Sequence, residues 1–206
     1  MNQNHFSRRR LMQLLTTTMV GSVFYSKLNA GTSPSLFNND QQDKPKPVFI
    51  APGAGDKGRF GGADITFKLD KSQTSGNLGS SEIILQAGHL GAPPHHHKGF
   101  DEICIVQEGV IHILVGEEVF EVKAGGWHLR PRGITHTFWN SGTTPAKFIE
   151  LYSPAGHEAY MKALAKLFEN GKRPQPGDLA KLADKYDIVF EFEKLKGIMD
   201  TYKVHL

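Results

Sequence analysis

The sequence predicts an all-β domain, a sandwich or barrel of short strands, followed by a small helical extension. Between residues 47 and 153, β-rich runs recur about every eight to twelve residues, separated by glycine and proline. After residue 153 the apolar residues change to helical spacing. A chain of 206 residues with 39% hydrophobic and 22% charged residues suits one globular core. We therefore expect the barrel over 47–153 and the extension over 154–206.

The N-terminal thirty residues have the order of a secretory signal. A basic head is followed by an apolar stretch and then by small residues. The segment SRRRLM (7–12) resembles the twin-arginine signal, which implies export of an already folded protein to the periplasm or another extracytoplasmic space. The alternative is a membrane anchor, but the apolar stretch is shorter than the roughly 20 residues of a spanning helix. Residues 31–46 are polar with scattered prolines and predict a linker.

Charge and cysteine content exclude several classes of function. The net charge is +3, but residues 1–30 contain four basic residues and no acidic ones. The rest has 20 basic and 21 acidic residues, so we expect no nucleic-acid partner. Cys104 is the single cysteine, which excludes an internal disulfide and a CxxC zinc site. We expect Cys104 to be a buried wall residue.

The predicted strands follow one another closely along the chain. They cover residues 64–70, 81–87, 102–109, 110–116, 118–125, 135–140 and 146–152. Gly109 and the pair Gly116-Glu117 are expected to form hairpin turns. Trp127 and Trp139 are candidates for the core.

The extension is predicted to contain two helices and a closing strand. Ser153 before Pro154 suits a cap and a first helical residue. Helical spacing follows, first at Met161, Leu164, Leu167 and Phe168 and later at Leu179, Leu182 and Tyr186. Residues 188–192 predict the strand.

Histidine is concentrated in the β region. Seven of the ten histidines lie between His89 and His136. On an extended strand, His95 and His97 face the same side and His96 faces the other. Two imidazoles on one face can bind one metal ion.

Two further residues complete a candidate metal site. Glu102 follows a short turn and brings a carboxylate from the next strand, while His136 adds an imidazole from a separate hairpin. Three imidazoles and one carboxylate suit a divalent first-row metal and leave one or two positions open. The other histidines have no such partners; we expect structural roles for His112 and His128.

These residues form two patterns that resemble the paired motifs of the cupin superfamily. The first has His95 and His97, Glu102 four residues after His97, and a closing Gly109. The second contains Gly125, Pro131, Gly133, His136 and Asn140 at the family's spacing. His89 stands where the first motif begins with glycine, which affects a turn and no ligand.

The resemblance implies a small cupin barrel, a double-stranded β-helix or jelly roll, with a metal at its centre. It implies one divalent transition metal (Mn, Fe, Ni, Cu or Co) bound by His95, His97, Glu102 and His136. The C-terminal extension resembles more loosely that of bacterial flavonol (quercetin-type) dioxygenases, over about fifty residues: it begins SPAG at Ser153, continues with a helix and a proline-rich turn, and ends near Tyr186-Asp187 and FEF (190–192). That resemblance implies a catalytic Glu102 acting as general base on an enolic aromatic substrate, with dioxygen as second substrate.

Two other functions remain open at this point. One is a non-catalytic cupin that binds a metal or small ligand, and the other is a sugar-type isomerase or epimerase. Cys104, Val106 and Phe138 are expected to face the barrel interior, and their apolar character favours a substrate other than a sugar. The sequence thus implies a small-molecule ligand and no stable membrane span, and it permits a homodimer.

Overall fold

The computed structural model describes residues 46–172 and 174–206. They belong to one compact unit. The predicted signal (1–30) and residues 31–45 of the predicted linker lie outside the described residues. None of the helices in the described part has the length and hydrophobicity that a membrane span requires.

Strands dominate the described residues. The strands are β1 (Lys57–Phe60), β2 (Ala63–Leu69), β3 (Gly79–Leu85), β4 (His89–Leu90), β5 (His95–His97), β6 (Asp101–Glu108), β7 (Val110–Val115), β8 (Glu118–Lys123), β9 (Trp127–Arg130), β10 (His136–Asn140), β11 (Ala146–Ser153) and β12 (Ile188–Phe190). The helices are α1 (His157–Phe168), α2 (Pro176–Lys185) and α3 (Leu195–Tyr202), with 3-10 turns at Glu169–Gly171 and Phe192–Lys194.

Two antiparallel sheets of six strands each form the barrel. The first sheet has the order β1-β2-β3-β11-β6-β9. The second has the order β12-β5-β10-β7-β8, with β4 also paired to β10. The predicted all-β barrel with a C-terminal helical extension is confirmed.

Alternation of side chains along the strands builds the core between the sheets. In β11 every second residue is buried, from Ala146 and Phe148 to Glu150 and Tyr152. This is the period of a strand with one face toward the core. Glu150 therefore occupies an inward position that the alternation otherwise gives to apolar residues.

Strand β10 is buried on both faces. Its outer face carries Trp139, which packs with Leu90, Ile198 and Val204 in a second apolar cluster. Ile198 belongs to α3, so the third helix covers the outside of the sheet that contains β10. Trp139 is a core residue as expected, but Trp127 is 67% exposed, which makes that expectation wrong.

The glycine turns lie where the sequence predicts them. Gly109 alone joins β6 to β7 and has a φ of 77°. Gly116 starts the turn between β7 and β8 with a φ of 62°. Both angles lie in the left-handed region that glycine adopts without steric cost.

The extension differs from the sequence expectation in three ways. Helix α1 begins at His157 and not at Pro154, because Ser153 is still a strand residue opposite Asp101. The closing strand is shorter than predicted, and it pairs along its whole length with β5. Helix α3 was not predicted.

Candidate metal centre

Three histidines converge inside the barrel. His95 and His97 lie on β5 and His136 begins β10, where it pairs directly with His95. All three side chains are buried. One nitrogen from each ring lies within 4.8 Å of the other two, so the three side chains can hold one metal ion.

Backbone oxygens determine which ring nitrogen carries the proton. The Nδ1 atoms donate to carbonyl groups at 2.8 Å for His95 to Pro93, 3.3 Å for His97 to Phe100, and 2.9 Å for His136 to Ile134. A carbonyl oxygen can only accept, so each Nδ1 is protonated and each Nε2 presents a lone pair. Metal-binding histidines commonly use this arrangement.

The unprotonated nitrogens fit a divalent metal. His136 Nε2 is buried and has no hydrogen-bond partner among the described residues. Burial lowers the pKa of His95 and of His136, which favours the neutral ring that binds metals. Three lone pairs that face one another repel, and a cation between them removes that repulsion.

Glu102 lies beside two of these imidazoles. Its Oε2 is 3.2 Å from His97 Nε2 and 3.4 Å from His136 Nε2. Because both nitrogens lack protons, the contacts are between acceptors, and a cation would stabilise them. Glu102 is outside the compact group formed by the three histidines, and its role as ligand or base stays a prediction.

A buried arginine, which sequence reasoning did not identify, joins two carboxylates. Arg130 Nη1 lies 3.4 Å from Glu102 Oε2, and Nη2 lies 2.5 Å from Glu150 Oε1. Burial alone would raise the pKa of Glu102, but the Arg130 charge holds it well below its usual range. Burial, reinforced by the Glu102 charge, raises the pKa of Glu150 to about 8 despite the opposing effect of Arg130.

Glu150 continues this polar chain toward the first sheet. Tyr152 Oη donates to Glu150 Oε2 at 3.3 Å, and Ser81 Oγ lies 2.7 Å from the same hydroxyl. Glu150 stands at a position where the alternation along β11 predicts an inward-facing apolar residue, and that departure could have identified it from the sequence. Arg130 shares its strand face with His128 and gives no comparable signal.

A cavity of about 880 Å³ opens beside the histidines. Its walls come from the barrel, from α1 and α2, and from β12. The lining is mainly apolar and includes Phe138, His95 and Glu102, and among the described residues it contains no lysine or arginine. Cys104 and Val106 are buried as expected, but they belong to the core and do not line this cavity. Burial raises the pKa of Cys104 to about 12, so the thiol stays protonated.

A second, larger space lies elsewhere on the molecule. This groove of about 1210 Å³ runs between the first two strands and α1. Lysines and acidic residues line it, and none of the histidines does. We therefore place the candidate site in the smaller cavity, where the metal-binding geometry is.

His157 is a second side chain that sequence reasoning did not connect with the site. It is the first residue of α1, it lines the cavity, and its ring centroid is 5.5 Å from that of His97. Burial lowers its pKa to about 3, so the ring is neutral. Its position depends on the C-terminal extension folding back over the barrel, which no local pattern encodes.

The remaining histidines in the described chain lie away from the three metal-binding imidazoles. His96 faces the other side of β5, with Nδ1 at 3.4 Å from Glu191 Oε1. His112 stacks on Trp139, and His128 packs against Phe120. His89 packs against His205 near the end of the chain.

Residues 81–152 match the family model of the Cupin domain. This part of the chain is similar to the Cupin domain. It runs from within β3 through most of β11 and contains the three converging histidines and Glu102.

Several solved structures resemble the barrel at low sequence identity. A predicted oxalate decarboxylase from Thermotoga maritima has 17% identity and a TM-score of 0.49, over 52% of this chain and 99% of that one. KdgF from Halomonas sp. has 18% identity and a TM-score of 0.48, over 54% and 99%. An RmlC-like cupin from Shewanella frigidimarina has 19% identity and a TM-score of 0.47, over 56% and 98%. No match was found among curated proteins.

Proposed function

We propose that this cupin is a metal-dependent dioxygenase that acts on a flavonol-like or other enolic aromatic molecule. The observation that carries the proposal is the cavity beside the histidines. His95 and Glu102 lie on its wall, and the rest of the lining is mainly apolar without lysine or arginine. A metal at the histidines would therefore face an apolar chamber.

The charges around the cavity favour an uncharged substrate. A phosphate or carboxylate is usually held by arginine or lysine, and the part of the lining that the structure describes has neither. Arg130, which is buried behind the lining, already pairs with two carboxylates. A substrate with aromatic rings fits the apolar walls, and the volume lies in the range of about 300–1,000 Å³ that is typical of small-molecule sites.

Glu102 is the group that would move the proton. A metal held by His95, His97 and His136 supplies positive charge that lowers the pKa of a substrate hydroxyl bound next to it. Arg130 keeps Glu102 ionised, so its carboxylate can accept that proton. The same arginine makes Glu102 a weak base, which suits only a hydroxyl that has already been acidified.

The extension would exclude water while the substrate reacts. Met161 and Leu164 from α1 and Leu179 from α2 contribute to the apolar wall. A dry chamber protects an electron-rich enolate from water and leaves it to react with dioxygen. The substrate is oxidised, and both oxygen atoms of dioxygen enter the products.

Oxygen uptake separates this proposal from its alternatives. Purified protein, loaded in turn with Mn, Fe, Ni, Cu or Co, should consume dioxygen in proportion to added quercetin in an oxygen electrode. Luteolin, which differs from quercetin only by lacking the enolic 3-hydroxyl, is the matched control and should give no uptake. A fully metallated protein that consumes no oxygen with any enolic aromatic compound would contradict the dioxygenase proposal and favour a binding protein or an isomerase.

We also propose that the protein acts outside the cytoplasm. The support is the twin-arginine-like segment at residues 7–12 and the apolar stretch that follows it. Export in the folded state would let the metal be loaded inside the cell.

A further inference from the structure

The C-terminal extension places one polar side chain in the apolar cavity near the metal centre. His157, the first residue of α1, is 6% exposed. Its ring centroid lies 4.8 Å from those of Phe100 and Tyr152 and 5.4 Å from that of Tyr160. Aromatic rings thus hold the imidazole in one position.

One ring nitrogen of His157 has nothing to bond to. Nδ1 is buried and has no hydrogen-bond partner among the described residues. A buried polar atom without a partner destabilises a fold, and native proteins usually satisfy such atoms with protein groups, water or a ligand. An apolar ring would fill the same space among these aromatic neighbours without that cost.

The location of His157 indicates which kind of ligand could contact it. Nδ1 itself has almost no accessible surface, but the residue lines the same cavity as His95 and Glu102, and its ring centroid is 5.5 Å from that of His97. A molecule bound next to the metal site would lie close to this imidazole. We propose that His157 is a substrate-binding residue, which hydrogen-bonds a hydroxyl or carbonyl oxygen of the substrate beside the metal centre.

This inference rests on the proposed function and adds to it. The barrel supplies the residues that would hold the metal, and the extension supplies a recognition residue. Helix α1 would then complete the substrate site as well as cover it. An enolic aromatic compound with an adjacent carbonyl offers both a hydroxyl oxygen and a carbonyl oxygen to His157.

Two histidine-to-phenylalanine variants test the inference. His157→Phe keeps an aromatic ring and removes both nitrogens. His128→Phe is the matched control, because His128 Nδ1 is also buried without a partner but the residue does not line the cavity. Metal content and Tm are measured for both variants. His157→Leu replaces the phenylalanine variant if that protein does not fold.

The measured quantity is the Kd for quercetin. Quercetin is titrated into the protein and followed by fluorescence, in the absence of oxygen, so that binding is measured without turnover. Loss of one hydrogen bond should weaken binding by roughly 3- to 10-fold in His157→Phe. His128→Phe should stay within about 2-fold of wild type. His157→Gln restores a polar nitrogen and should recover most of the affinity.

The outcomes distinguish this inference from the proposed function. Unchanged quercetin affinity in His157→Phe, with wild type consuming oxygen, overturns the role of His157 and leaves the dioxygenase proposal standing. Weaker binding in that variant, with a wild type that binds but consumes no oxygen, supports His157 and overturns the dioxygenase. A metallated wild type that binds no quercetin and consumes no oxygen with any enolic aromatic compound overturns both.

Discussion

His95, His97 and His136 each use one ring nitrogen for a backbone oxygen and present the other to the same point. The acceptors are local, within three residues of each histidine. Ring orientation is therefore set by the turns that flank β5 and β10. This preorganisation favours metal binding because little side-chain freedom is lost when the ion arrives.

The first prediction compares neighbouring histidines on β5. His97→Ala removes a buried imidazole from the group of three, whereas His96→Ala removes a ring on the opposite side of the strand. Metal affinity should fall by more than about 100-fold in His97→Ala, since even residues that only orient ligands are worth 10–100-fold. It should change little in His96→Ala. Metal analysis after dialysis measures both, and equal metal content in the two proteins would contradict the site.

Glu102 gives the second prediction. Glu102→Gln keeps an oxygen atom but removes the charge that faces Arg130. If Glu102 is the general base, turnover of quercetin should fall by about 10²–10⁴ while most of the metal remains bound. The adjacent Asp101→Asn variant is the control, because Asp101 pairs with Arg132 outside the cavity. Parallel loss of metal and activity in Glu102→Gln would instead identify Glu102 mainly as a ligand.

Among the elements, β12 contributes most to holding the strand that carries two of the histidines. β5 pairs with β10 only at His95, but it pairs with β12 at all three positions. The backbone N–H of Glu191 donates to the carbonyl oxygen of Pro94 at 2.8 Å. Alternation along an antiparallel ladder then places Val189 and His96 in a hydrogen-bonded pair. The extension therefore supports the metal centre from outside the barrel.

The third prediction tests that support. Val189→Pro removes the N–H that faces His96. Because Val189 is 37% exposed, loss of its side chain should itself change the stability of the fold little. Metal affinity should fall about 10-fold because β5 is held less firmly. Val189→Thr keeps the N–H and suits a strand, so it should bind metal as wild type does. Tm and metal titration measure both variants, and unchanged affinity in Val189→Pro would show that β10 alone positions β5.

Local patterns in the sequence predict some of these elements and miss others. The alternation in β6, β7 and β11 and the histidine spacing on β5 are visible within single segments. The sequence indicates a strand-like run around His128, where β9 lies, but no local pattern shows that Arg130 is buried there. His157 reaches the cavity only because α1 packs against the barrel after a turn. Contacts between segments distant in the chain leave no periodic signal.

At the scale of the whole molecule, the barrel and the C-terminal extension of the described part contribute differently to the candidate site. The barrel brings the three imidazoles together, and the C-terminal extension closes the cavity and pairs with β5. A metal that binds only the folded barrel stabilises it by mass action. Loading before export would therefore favour the folded state that the twin-arginine route is expected to carry.

The fourth prediction concerns that route. Replacing Arg8 and Arg9 by lysine keeps the positive charge and removes only the guanidinium pair of the twin-arginine-like segment. A general secretory signal needs a basic head of either kind, so it should tolerate the change, whereas the twin-arginine signal should not. We expect the variant to accumulate in the cytoplasm as a folded, metal-containing precursor. Cell fractionation with metal analysis measures this, and Arg10→Lys is the matched control because the pair at Arg8 and Arg9 stays intact. Export of the double-lysine variant at the wild-type rate would show that the protein leaves the cytoplasm by the general secretory route, as an unfolded chain that acquires its metal after export.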